Sequence, residues 1–141
     1  MKIIIDTNLW VSFLINKKFD DLENLCLDES ISVIYCDKII KELIDVSSRN
    51  KIRKLGVEEK DVAKMLSLII TSCVKVTFEN TAISVIRDPE DLYLLSLAEA
   101  SDADFLITGD KDLLILRFHS RTQIVSYSEF AKLRSSKSLI Y

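Results

Sequence analysis

The chain has 141 residues, 48% of them hydrophobic and 29% charged, with a formal net charge of −3 at pH 7. That length holds one domain with one sizeable core and is short for two, and two Gly with a single Pro leave no flexible linker. The acidic balance speaks against tight nonspecific nucleic-acid binding by bulk charge, while leaving room for a local basic groove.

Three cysteines, Cys26, Cys36 and Cys73, form no CxxC pair. They fit neither a disulfide framework nor a zinc site and are expected as small buried hydrophobes. The apolar run ahead of Asp6 is far too short for a signal-peptide core, and no run approaches a membrane span. A cytoplasmic protein with no membrane partner is therefore expected.

In chain order, Ile3 to Ile5 reads as a strand buried on both faces, because it is continuous and β-branched rather than alternating, and Asp6 follows it directly. Leu9 to Leu14 and Leu22 to Leu27 carry helical spacing on either side of a polar NKKFDD turn. Ser32 to Tyr35 is a second strand, after which Asp37 is placed to cap a helix. Ile39, Ile40, Leu43, Ile44 and Val46 give that helix an apolar stripe, and SSRNKIRKLG ends it. Val57 opens another amphipathic helix reaching Ser72. Val74 to Phe78 alternates as a strand.

Asp88-Pro89-Glu90-Asp91 is a helix start, with Asp88 as cap, Pro89 in the first helical position and further acids at the positive end of the dipole. Phe105 to Thr108 is a strand broken by Gly109, and Ile124 to Val125 is the last one before a helix from Ser128 to Leu133. His119, the sole histidine, is expected in a surface loop, which leaves no basis for Ser–His or Cys–His nucleophilic chemistry. The alternation predicts a single α/β domain over 1–141, with a mainly parallel sheet flanked by helices on both faces. Ligands collect at the carboxyl ends of the strands in such sheets, where Asp6 and Asp110 fall.

Taken singly, Asp6, Asp110 and Asp112 are plausible turn residues, Asp88 and Asp91 plausible helix-start acids, and Glu42 a plausible solvated helix residue. Together, four separate segments bring an acid toward one edge of the sheet. Converging carboxylates without basic partners repel and raise one another's pKa, so a divalent cation is the natural stabiliser. Oxygen donors alone point to Mg2+ or Mn2+ rather than zinc. Such ions activate water and stabilise the charge of an in-line displacement at a phosphodiester.

The segments IIIDTNLW, KIIKELIDV, RDPEDLYLLSLA, LITGDKDLL and YSEFAKL occur in an order and spacing that resemble PIN domains, in particular small prokaryotic VapC-like proteins described as toxin components of toxin–antitoxin pairs. The resemblance covers nearly the whole chain. It implies a PIN-like fold and a metal-dependent ribonuclease with four acids, which fall on Asp6, Glu42, Asp91 and Asp110. It further implies cleavage of single-stranded or structured RNA to a 5′ phosphate and a 3′ hydroxyl, a homodimer, and a protein antitoxin that blocks the site or its groove.

Within that reading Asp6 and Asp91 bind the principal metal, Asp110 completes the site, and Glu42 positions water or a second ion. Asp112 competes with Asp110, and Asp88 with Asp91, although Asp88 suits capping better. Asn8, Thr7 and Thr108 are polar neighbours able to orient carboxylates or contact a phosphate. Arg49, Lys51, Arg53 and Lys54, with a smaller pair at Lys17 and Lys18, are candidates for the RNA backbone, against the plainer reading of cations at a solvated helix end. Tyr35, Tyr93 and Trp10 are candidates for base stacking, with core packing the plainer reading. Two other functions compete: a catalytically inactive PIN-like RNA-binding or interaction subunit, and a phospho-receiver module. The receiver needs a late Lys next to Pro, whereas the sole Pro89 follows Asp88.

Overall fold

The structure, a computed structural model, describes residues 1–78 and 92–140. The expected helix start at Asp88 to Asp91 lies outside the described residues.

Among the described residues six strands form one sheet: β1 (Lys2–Ile5), β2 (Ser32–Tyr35), β3 (Val74–Lys75), β4 (Phe105–Ile107), β5 (Phe118–His119) and β6 (Thr122–Val125). Their order is β3-β2-β1-β4-β6-β5, parallel throughout except for the antiparallel β5–β6 edge. Ile3, Ile4 and Ile5 are each at most 1% exposed, so β1 is covered on both faces, as its unbroken β-branched run requires.

The helices are α1 (Thr7–Ile15), α2 (Phe19–Leu27), α3 (Asp37–Ser48), α4 (Asn50–Arg53), α5 (Glu59–Ser72), α6 (Leu92–Ser101), α7 (Lys111–Leu114) and α8 (Tyr127–Ile140). The chain runs from β1 outward to β2 and β3, then returns to the other side of β1 for β4, β6 and β5. Because crossovers between parallel strands are right-handed as a rule, those that run in opposite directions across a sheet place their helices on opposite faces. Trp10, Leu22, Ile39, Leu43, Met65 and Ile69 fill the core beneath the first group of helices, and Leu94 and Leu95 of α6 are also fully buried.

Several local expectations change. The NKKFDD segment is shorter as a turn than its composition indicates, because α2 already begins at Phe19, with Asp20 and Asp21 complementing its dipole in the first turn. Lys17, at φ 57°, takes the left-handed conformation that reverses the chain. Asp37 is the first residue of α3 rather than its cap, which falls on Cys36, and its carboxylate instead pairs with Lys75 Nζ at 3.0 Å. Within SSRNKIRKLG lies the one-turn helix α4. Glu58 starts α5 through a reciprocal capping box, its own N–H bonded to Asp61 Oδ2 at 2.9 Å.

The strand at 74–78 shortens to Val74–Lys75, with Val74 exposed on the edge of the sheet. At the opposite edge His119 is half-buried in β5, where its Nε2 lies 2.6 Å from Glu99 Oε1, rather than in a surface loop. Cys26 and Cys36 are buried as expected. Cys73 is only partly so, with its Sγ 3.7 Å from that of Cys26. Among the described residues no helix is long and apolar enough to cross a membrane.

Candidate active site at the carboxyl edge of the sheet

Strand order reverses direction between β1 and β4, which makes the crevice past their carboxyl ends the topological switch point of the sheet. Asp6 follows β1 there and Asp110 follows β4. The two strand ends are tied together by the Asp6 N–H, which donates to the Ile107 carbonyl at 3.0 Å.

Asp6 occupies the N-cap position of α1 without capping it through its side chain. Its carboxylate is committed elsewhere: the Thr108 hydroxyl donates to Oδ2 at 2.7 Å, and the same hydroxyl accepts from the Asp110 N–H at 3.0 Å. Thr108 is wholly buried and Asp6 nearly so. Burial pushes Asp6 above the usual carboxylate range. The Thr108 hydrogen bond and the nearby Asn8 N–H oppose this, and the negative charges of Asp110 and Glu42 add to it.

Asp110 caps the short helix α7, its Oδ1 accepting from the Asp112 N–H at 2.9 Å. Asp112 is exposed and contributes its backbone to this arrangement, while Asp110 is half-buried and its charge acts on Asp6. Of the two, Asp110 is the one whose backbone is bonded to the hydroxyl that also holds Asp6. Asn8, exposed on the first turn of α1, lines an open pocket of about 360 Å3 together with Leu9, Ser12, Gly109 and Asp110.

Glu42 enters from α3 and is half-buried. Its Oε2 accepts from the Tyr93 hydroxyl at 2.8 Å and from Thr7 Oγ1 at 3.1 Å. Burial raises the Tyr93 phenol well above its ordinary value; the Thr7 hydroxyl opposes this, and the negative charges of Glu42 and Asp6 reinforce it. Tyr93 is 3% exposed and Trp10 1%, with Trp10 Nε1 donating to the Ile5 carbonyl at 3.1 Å, so neither ring is open to a base. Tyr35 is buried as well. The partnership of Tyr93 with Glu42 is a site feature that the sequence does not show; the only available signal is that a tyrosine within a Leu-rich helix needs a partner for its hydroxyl.

The structure thus brings Asp6, Glu42, Thr108 and Asp110 to one edge, and none of the three acids forms a salt bridge among the described residues. Among those residues no three metal-ligating side chains close into a group able to hold an ion. Asp88 and Asp91 lie outside them. The basic residues form one surface rather than two, because Lys17 Nζ donates to the Gly56 carbonyl at 2.8 Å and so adjoins the 49–54 segment. Arg49 is paired with Asp45 at 2.9 Å and Arg53 Nε donates to the Ser47 carbonyl at 3.1 Å, whereas Lys51 and Lys54 extend into solvent.

A mainly parallel α/β sheet with a buried acid directly after its central strand, joined at the switch point by acids from two other segments, defines a domain with a carboxylate site at the carboxyl edge of its strands. The sequence matches the family model of the PIN domain over residues 2–112, and the chain belongs to the PIN domain family, whose members are generally nucleases. It is 34% identical over 119 residues to the uncharacterized protein MJ1680 of Methanocaldococcus jannaschii, an alignment covering 83% of this chain and 76% of that protein. Its fold is similar to that of VapBC2 from Rickettsia felis, solved bound to a DNA fragment from their promoter, with a TM-score of 0.55, 18% identity and coverage of 88% of this chain and 97% of that one. It is also similar to the PIN domain of T. brucei RRP44, with a TM-score of 0.50, 17% identity and coverage of 98% and 85%. At these identities the two structures speak to the fold alone.

Proposed function

We propose that this PIN domain is a Mg2+- or Mn2+-dependent ribonuclease that hydrolyses phosphodiester bonds at the edge holding Asp6. The observation that carries the reading is the buried Asp6 carboxylate, pressed by the charges of Glu42 and Asp110 with no cation paired to it among the described residues. Such a site is costly unless a positive charge is supplied, and an all-oxygen donor set suits a hard divalent cation. Asp6 and Asp110 would hold the ion together with Asp91, the family motif's third acid, which directly precedes α6 in sequence. A bound ion supplies Lewis-acid charge stabilisation at the phosphate and a lowered pKa for water.

The chain's own residues do the rest. Thr108 holds one oxygen of Asp6 and the backbone of Asp110 in register, fixing the two strand ends relative to each other. Glu42 orients the attacking water. The pocket beside Asn8 and Gly109 accepts the phosphate, and Lys51, Lys54 and Lys17 attract the flanking backbone.

Purified protein incubated with RNA and Mn2+ is expected to release fragments with 5′ phosphates, and Asp6→Asn or Asp110→Asn to abolish release while melting cooperatively. Cleavage that persists in both variants, or in excess chelator, would overturn the assignment and leave a non-catalytic RNA-binding subunit as the better reading. The toxin role, with a protein antitoxin and a homodimeric toxin, draws support from the fold shared with VapBC2. Growth arrest on induction, relieved by the product of a neighbouring gene, is its test.

A further inference from the structure

Three elements meet at a single oxygen of Glu42. Oε2 receives the Tyr93 hydroxyl of α6 at 2.8 Å and the Thr7 hydroxyl of α1 at 3.1 Å, and the two hydroxyls lie 3.4 Å apart. The other oxygen, Oε1, has no hydrogen-bond partner among the described residues. We propose that Tyr93 is a positioning residue of the site: with Thr7 it clamps Oε2, fixes the plane and rotamer of the Glu42 carboxyl, and leaves Oε1 as the one oxygen free to act on water.

This role rests on the ribonuclease reading and extends it to a residue outside the four acids. A glutamate has three rotatable bonds, and a general base misplaced by an ångström loses much of its effect. Tyr93 is suited to the task because its ring is immobilised: it is 3% exposed within α6, and Lys38 Nζ sits 4.7 Å from its centroid. Its neutral hydroxyl also orients the carboxylate without neutralising it, as a lysine or arginine would. Asp6 is treated in the same way by Thr108, so each of these two acids has one oxygen engaged by a buried hydroxyl.

Tyr93→Phe keeps the ring, its packing and the Lys38 contact, and removes only the shorter of the two hydrogen bonds of the clamp. The expected result is a fall in kcat of about 10-fold or more, the usual effect of removing a residue that orients a ligand or base. KM for RNA and the Mn2+ dissociation constant measured calorimetrically without RNA should stay within about threefold, on the scale of a site whose other contacts are retained. The double variant Tyr93→Phe/Glu42→Gln should be no slower than Glu42→Gln alone, because the clamp has nothing left to orient. In metal-free protein the 13C-carboxyl resonance of Glu42 should move in Tyr93→Phe.

An active wild type with an equally active Tyr93→Phe, or losses that multiply in the double variant, would overturn the positioning role alone. A Mn2+ affinity that collapses in Tyr93→Phe, or a Glu42 resonance that does not move, would overturn it too. A wild type inactive on RNA with Mn2+ would overturn the ribonuclease reading and the role with it.

Discussion

Replacing Thr108 by Val isolates the electrostatic strain at Asp6, because the substitution keeps side-chain volume in a wholly buried position and deletes one hydroxyl. That hydroxyl makes two hydrogen bonds, donating to Asp6 Oδ2 at 2.7 Å and accepting from the Asp110 N–H at 3.0 Å. A hydrogen bond to a charged group contributes about 1.5–3 kcal/mol and a neutral one about 1 kcal/mol. At neutral pH, with Asp6 ionised, the expected loss is about 2.5–4 kcal/mol. Once Asp6 is protonated both bonds are neutral and the loss falls to about 2 kcal/mol. The assay is urea unfolding of metal-free wild type and variant at about pH 7.5 and about pH 4, comparing midpoints at unchanged slope. A loss that is the same at both pH values, or below about 0.5 kcal/mol at the higher one, would refute the claim that Thr108 holds an ionised, buried Asp6.

The sign of the pH dependence follows from the same residue. Burial raises Asp6 in the folded state, so its contribution to stability is fully present below the ordinary aspartate value and is lost as pH rises through the raised one. Metal-free wild type should therefore weaken with rising pH across that window, while Asp6→Asn should lack this component and outlast wild type in urea at neutral pH; a variant as weak as wild type there would contradict the assignment. Reversing Lys51 and Lys54 to Glu together should raise KM for RNA with kcat nearly intact. It should also flatten the slope of log affinity against log salt by about 1–2, since each phosphate contact on a single strand adds about 0.7. An unchanged slope would remove this surface from the RNA path.

How much of this was legible in the sequence varied with the range of the interactions involved. Three consecutive isoleucines specify a central strand by themselves, and an acid directly after such a strand falls at its carboxyl edge; β1 and Asp6 needed nothing further. The β5–β6 hairpin was missed because its chain reversal uses Ser120 at φ 55°, and the entry to β5 uses Arg117 at φ 61°, positions where Gly or Asn would have announced a turn. With it went the location of His119.

Asp37 had the right chemistry for a cap and a competing partner, Lys75, 38 positions away, which no local pattern reports. The preference for Asp110 over Asp112 has the same origin: the two are equivalent as GDKD and distinct only once Thr108 and Asp6 are in place. Tyr93 reads as one aromatic among leucines until its hydroxyl is seen on Glu42.

The hydrogen bond between Thr108 and Asp6 spans 102 positions of the chain. The site that Asp6 shares with Asp110 does not exist in a fragment that ends before β4, since Thr108 and Asp110 follow the strand that pairs with β1. Contacts of this range also slow folding, because loop closure must precede them. On the ribonuclease reading proposed above, this connectivity works as a timer: hydrolytic capacity arrives only once β4 and Asp110 are in place, and products truncated before them are harmless.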